Sequence, residues 1–251
     1  MPAAQIDIGP FTVRLFPAAL IGAMLVSLWL TLRRLCLPAG TLIDIGLLAL
    51  AGGLIGARLG YVLLNLDAFA ADPADVLRFT SGGLNWHGAL IGALIGLWLA
   101  ARWRSFDGEA LLDALTPAIA LVGLAAWAGC WAESCGYGVE VDTLARYPAY
   151  LVAELPDRFG IVAPRYSTQL YGVVWMGLTL AAALLLMRGE RLKGRRFWLT
   201  LALASAGMFT IGFWRADPSA FALGLRVDQL LDALFVLGGV IMALARRALT
   251  R

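Results

Sequence analysis

Seven apolar stretches recur along the chain, at about residues 16–32, 43–66, 85–101, 111–132, 170–187, 197–214 and 228–245. Each is about 17–24 residues long, enough to cross roughly 30 Å of hydrocarbon at about 1.5 Å per residue. A soluble domain of 251 residues could not hide this much apolar surface. The chain is 61% hydrophobic and 15% charged, with a mean hydropathy of +0.79. Lipid is therefore the expected solvent. The expected fold is an all-α polytopic membrane protein with seven transmembrane helices. It forms one membrane-embedded domain over 1–251, because no Ser/Pro-rich linker, low-complexity tract or charge block interrupts it. The first stretch does not read as a cleaved signal peptide. It lacks a basic leader and ends at Arg33–Arg34 instead of a small-residue cleavage site.

Arginine placement sets an orientation. Alternate connections carry Arg33 and Arg34, then Arg102 and Arg104, then 188–196 with four arginines and Lys193, then Arg246, Arg247 and Arg251. The opposite connections carry Arg14, Arg78, Arg146, Arg158, Arg165, Arg215 and Arg226, spread over longer segments. The positive-inside rule puts the first set in the cytoplasm, the N-terminus outside and the C-terminus inside. The long outer segments are then 67–84 and 133–169. The arginines are not interleaved with aromatics on a soluble face, so nucleic acid is not an expected partner.

Polar groups collect at the outer level. His87, the only histidine, opens the third apolar stretch in "SGGLNWHGAL". Arg58 lies in the outer half of the second. Glu133 and Cys135 follow the fourth, Gln169 and Tyr171 open the fifth, Arg215 closes the sixth and Asp228 opens the seventh. Ionisable groups near hydrocarbon are costly and usually face a partner in the bundle interior. For Arg58 alone, an ion pair with Asp67 or Glu133 competes with function. For Arg215 alone, snorkelling to the headgroups does. Together these groups describe a polar chamber open to outer-leaflet headgroups, where arginines suit a phosphate. Glycines at spacings of three and four in "AGGLIGARLG" and "HGALIGALIG" suit close helix packing. Gly82 and Gly83 suit a turn that aims Asn85 and His87 inward. Cys130 and Cys135 can pair only if the helix ends between them, and both states remain open. One histidine, three cysteines and no CxxC make a metal site unexpected, and no GxSxG is present.

"SGGLNWHGALIG" resembles the signature of the bacterial prolipoprotein diacylglyceryl transferase family, a GG–x–x–x–HGG–x–x–G pattern that begins a transmembrane helix. The likeness continues in order with "GARLGYVL", "GCWAESCGYG", "YSTQLYG" for the family's "HPTQLYE", "FTIGFWRADP" for "VEFFREPD", and "LRVDQLL" for "LSMGQLL". The family's arrangement of seven helices, with the N-terminus out and the C-terminus in, agrees with the arginine count. The resemblance implies transfer of a diacylglyceryl group from phosphatidylglycerol to the lipobox cysteine of a preprolipoprotein, with glycerol phosphate leaving. It implies a multi-pass protein of the bacterial inner membrane with its site facing the outer leaflet, membrane lipid as a partner, and no cofactor or metal. Catalytic roles fall on His87, as base or orienter, and on Arg215, toward the headgroup. Substrate binding falls on Arg58, Asn85, Gly88, Glu133, Gly138, Gln169 and Tyr171.

The chain also departs from the pattern. Trp127, in "AAWAGC", stands where the family has an arginine, and Phe16, in "RLFP", where it has a tyrosine. Ala89 replaces a glycine, and Gly172 replaces the glutamate after "QLY". Losing one transition-state donor costs on the order of 2.7–4 kcal/mol. A catalytically weak relative that binds lipid or a membrane partner is therefore the alternative reading. A transporter is a third, disfavoured because the inner halves carry little polarity beyond Asp44 and Asp113.

Overall fold

The computed structural model describes residues 5–249 except Pro10, Cys36, Ala71 and 80–82. Ser81, Gly82 and Arg251, all read above, lie outside the described residues. The chain is mostly helical, because a backbone in lipid must satisfy its own polar groups. Each apolar stretch forms a helix: α1 (Leu15–Leu35), α2 (Ala39–Leu64), α4 (Trp86–Arg104), α5 (Gly108–Ala114) with α6 (Thr116–Glu133), α7 (Thr168–Leu186), α8 (Arg196–Ile211) and α9 (Val227–Leu249). The short α3 spans Leu66–Ala70.

The all-α expectation needs one correction. Three antiparallel hairpins occur: β1 (Gln5–Ile8) with β2 (Phe11–Arg14), β3 (Val152–Pro156) with β4 (Val162–Tyr166), and β5 (Phe221–Ala222) with β6 (Leu225–Arg226). All three lie between or before the apolar stretches. Among the described residues, five helices are long and apolar enough to cross a membrane, or six if α5 and α6, bent by 43°, form one span. Pro117, near the start of α6, removes a backbone donor at that bend. α4 falls short of the other spans because His87, three tryptophans, three glycines and two arginines dilute its apolar run.

Two compact units form. The first holds residues 31–111. Its α2 and α4 pack backbone to backbone. A Cβ on Gly52, Gly56, Gly88, Gly92 or Gly96 would fall 2.0–2.3 Å from a carbonyl oxygen of the facing helix. Arg104 near the end of α4 pairs with Asp44 near the start of α2.

The second unit holds residues 1–30 and 112–251. Here α6, α7 and α8 pack around Trp127, Met176, Ala204, Met208 and Ile211, and α9 packs against α8. α8 is the most buried of the spans, so the end that carries Arg215 leaves from the middle of this bundle. At its other end Arg196 is 3.7 Å from Asp113, whose carboxylate also accepts the Gly194 backbone amide at 2.6 Å.

Candidate functional site

The site residues fall into two groups, one in each unit. In 31–111, the segment after α3 folds back onto the end of α2 through Arg58. Its guanidinium donates to the carbonyls of Val76 at 2.9 Å, Gly83 at 3.1 Å and Asp75. It also lies 5.2 Å from the Phe69 ring centroid. Arg58 is 3% exposed, so these carbonyls take the place of water around a buried charge. Gly83 completes the fold-back at φ +75°, and a Cβ there would meet the Tyr61 ring at 2.6 Å. Gly83 thus has the positive φ that the expected turn requires.

α4 then begins with an ordinary cap. The Asn85 side chain accepts from the Gly88 amide at 2.9 Å, which places the cap two residues before His87. The Asn85 amide donates to the Ala57 carbonyl at 2.9 Å and ties the cap to α2. His87 is buried in the first turn, with the Trp86 ring 4.2 Å away. The structure thus gives Asn85 and Gly88 jobs in building α4, as the helix cap and at the helix contact.

The second group is built around the end of α6. Ser134 adopts a left-handed φ of +56° and ends the helix between Cys130 and Cys135, which form a disulfide. This is the condition the spacing imposed. The chain then runs between two others. Val139 donates to the Trp214 carbonyl at 2.8 Å and Ala216 to that of Tyr137 at 2.9 Å. On the other side Tyr166 donates to Val139 at 3.1 Å. Gly138 sits in the middle, paired with Arg215, where a Cβ would fall 2.2 Å from the Tyr166 carbonyl oxygen. Only glycine admits this approach. Buried Gln169 donates to the Cys135 carbonyl at 3.1 Å, and the Tyr171 hydroxyl donates to that of Leu151. Glu133 ends α6, and its Oε1 is buried without a hydrogen-bond partner among the described residues.

Arg215 is engaged on every side. It donates to Asp217 at 2.6 and 2.8 Å and to Asp228 at 2.9 Å, and it lies 5.8 Å from the Trp127 ring centroid. Burial opposes its charge. The Asp217 hydrogen bond and the charges of Asp217, Asp228 and Asp232 outweigh that and hold its pKa above the usual arginine value. Arg226, 4% exposed, donates to Asp228 at 3.0 Å and to the Asp217 carbonyl at 2.9 Å. Sequence reading missed Asp217, Arg226 and the pairing role of Asp228. The one signal was local: two arginines and two aspartates within the short 215–228 stretch.

Trp127 occupies the interior where the resemblance expects an arginine. Its Nε1–H points at the Met208 sulfur at 3.1 Å. Gly172, another departure, lies against it: a Cβ there would fall 2.1 Å from the indole. Phe16 likewise fills space against Gly129, where a Cβ would meet its ring at 1.8 Å. Beside these residues a cleft of about 470 Å³ opens between α7 and α8, lined by Tyr150, Tyr166, Tyr171, Trp175, Thr210 and Trp214 among others.

The profile of the family described as prolipoprotein diacylglyceryl transferase matches residues 3–245. A phosphatidylglycerol–prolipoprotein diacylglyceryl transferase of Corynebacterium efficiens is 27% identical over 94% of this chain and 79% of its own length. Proteins of the same name from Clostridium novyi and Paenarthrobacter aurescens are 31% and 29% identical. They cover 80% and 99% of the chain and 77% and 83% of their own lengths. Every motif set out above falls inside the matched region, and the chain belongs to the prolipoprotein diacylglyceryl transferase family.

Proposed function

We propose that this protein transfers a diacylglyceryl group from phosphatidylglycerol to the lipobox cysteine thiol of a preprolipoprotein. Family membership over residues 3–245 carries the reading. In this reaction the thiolate sulfur attacks the glyceryl carbon, the C–O bond to phosphate breaks and glycerol phosphate leaves. The thiol proton must go to a base, and the departing phosphate needs donors. His87 serves as base or orienter. Arg215 faces the headgroup, and Arg58, Asn85, Gly88, Glu133, Gly138, Gln169 and Tyr171 shape the substrate site. The apolar lining of the cleft between α7 and α8 suits a lipid chain. The chain works as one multi-pass domain of the inner membrane with seven crossings, N-terminus out and C-terminus in, and takes its substrates from the outer leaflet.

One observation favours the second reading, a weak relative that binds lipid or a membrane partner. Trp127 offers no charge where the family pattern has one, and Asp217 and Asp228 already occupy the Arg215 donors. Protein reconstituted with phosphatidylglycerol and a lipobox peptide separates the two. The expected result is thioether product that is lost in His87→Ala and Arg215→Ala. Absence of product from correctly folded wild-type protein would reject transfer.

A further inference from the structure

β5 and β6 form a tight hairpin in the second unit, and its chemistry is wrong for water. The register pairs Phe221 with Arg226 and Ala222 with Leu225, which leaves Leu223 and Gly224 as a two-residue turn. Both have positive φ, +54° and +77°. Such turns favour Asn-Gly or Asp-Gly, because a short polar side chain tolerates the left-handed region and can bond locally. Leucine has no such compensation. Leu223 is also 92% exposed, more than any other large apolar side chain among the described residues, and Phe221 is 69% exposed. The whole tip, "AFALGL" over 220–225, has no polar side chain.

The base of the hairpin is polar and held. Arg226 is buried against Asp217 and Asp228, and the Val227 amide donates to the Ala220 carbonyl at 2.9 Å. The tip is therefore presented on a fixed base. That base joins α8 to α9, two helices long and apolar enough to span a membrane, with only 215–226 between their spans. Exposed Phe213 and Trp214 end the α8 span at this level. Tryptophan at the end of a span, as at Trp214, marks the interface between headgroups and hydrocarbon. A hairpin of this length cannot carry its tip far from the bilayer surface.

We propose that the β5–β6 tip inserts into the lipid leaflet at the α8–α9 end, with Leu223 and Phe221 buried among lipid chains. Insertion removes the apolar cost of the exposed tip and explains leucine at a turn position that favours asparagine. It also anchors the Arg215–Asp217–Arg226–Asp228 cluster at headgroup depth.

The test uses the full chain with Cys36→Ala and Ala222→Cys, the probe site being next to an intact Leu223. The new thiol carries an environment-sensitive NBD dye, and the protein sits in nanodiscs of phosphatidylcholine and phosphatidylglycerol. The Cys130–Cys135 disulfide does not label. The expected emission is blue-shifted from an Asp142→Cys control and is quenched more by nitroxide lipid than by aqueous iodide. Adding Leu223→Asn, which suits the turn backbone, should shift the emission toward the control. Emission matching the control, with iodide the stronger quencher, places the tip in water and overturns the proposal. It would leave a protein partner as the tip's occupant. An unchanged signal in the Leu223→Asn protein also overturns it, because Leu223 would then not be the anchor.

Discussion

Trp127 and Gly172 depart from the family pattern at two separate points of the chain, yet they touch. An indole fills the volume that a glutamate side chain at 172 would need. The two positions are therefore coupled in space, with an aromatic plug lying over glycine. Trp127→Arg alone would place a guanidinium among apolar groups and near the positive Arg215. Gly172→Glu alone would drive a carboxylate into the indole. Each single change is expected to cost about 3 kcal/mol or more. The double change should cost less than the sum by about 1–3 kcal/mol. Unfolding titrations in mixed SDS micelles measure the cycle, and strict additivity would refute the coupling. The Arg215 cluster makes a second prediction at this scale. Arg226→Gln leaves two aspartates facing Arg215 alone and should cost about 3–5 kcal/mol in the same assay.

At the scale of elements, two contacts are sensitive for different reasons. The α2–α4 contact is backbone on backbone, and a Cβ on Gly92 would fall 2.0 Å from the Gly52 carbonyl oxygen. Gly92→Ala must push the helices apart and should cost about 1–3 kcal/mol, with Gly92→Leu costing more. The β3–β4 hairpin depends on charge. Asp157 closes its turn by accepting the amides of Phe159 at 2.8 Å and Ile161 at 3.0 Å, with Arg165 at 3.6 Å. Burial works against the carboxylate. The two amides and the charges of Arg165 and Arg158 prevail and hold its pKa below the ordinary value. A folded-state pKa below the unfolded one, about 3.9, means the stabilisation is present above that value. It is lost as pH falls through the folded-state pKa. Amide exchange in 152–166 should therefore speed up as pH is lowered below about 3.9, after correction for intrinsic rates. The acceleration should be absent in Asp157→Asn.

For the whole molecule, the arginine distribution makes a topological prediction. Twelve basic residues fall on one set of connections and seven on the other, with the C-terminal group in the larger set. A green fluorescent protein fused after Arg251 should fluoresce, and alkaline phosphatase fused there should be inactive. Active phosphatase at that site would refute the cytoplasmic C-terminus. The Cys130–Cys135 disulfide agrees with the same orientation, because it then lies on the oxidising side.

Much of this fold was legible because hydropathy is a local property. Seven apolar runs specify helices and their approximate limits without reference to any partner. The Gly83 turn and the condition on the cysteine pair were also readable, since both depend on only a few neighbouring residues. His87 was conspicuous as the only histidine, although its burial was not. Tertiary structure decided what sequence separation hides. It joined Trp127 to Gly172 across 45 positions, directed Arg58 to backbone carbonyls that no side-chain pattern advertises, and surrounded Arg215 with aspartates that leave its guanidinium few free donors. The hairpins were missed because two to five residues per strand carry too little periodicity to read. The physical reason is common to all of these. Partition into lipid is set residue by residue along the chain, whereas contacts and hydrogen-bond partners are set by which surfaces meet.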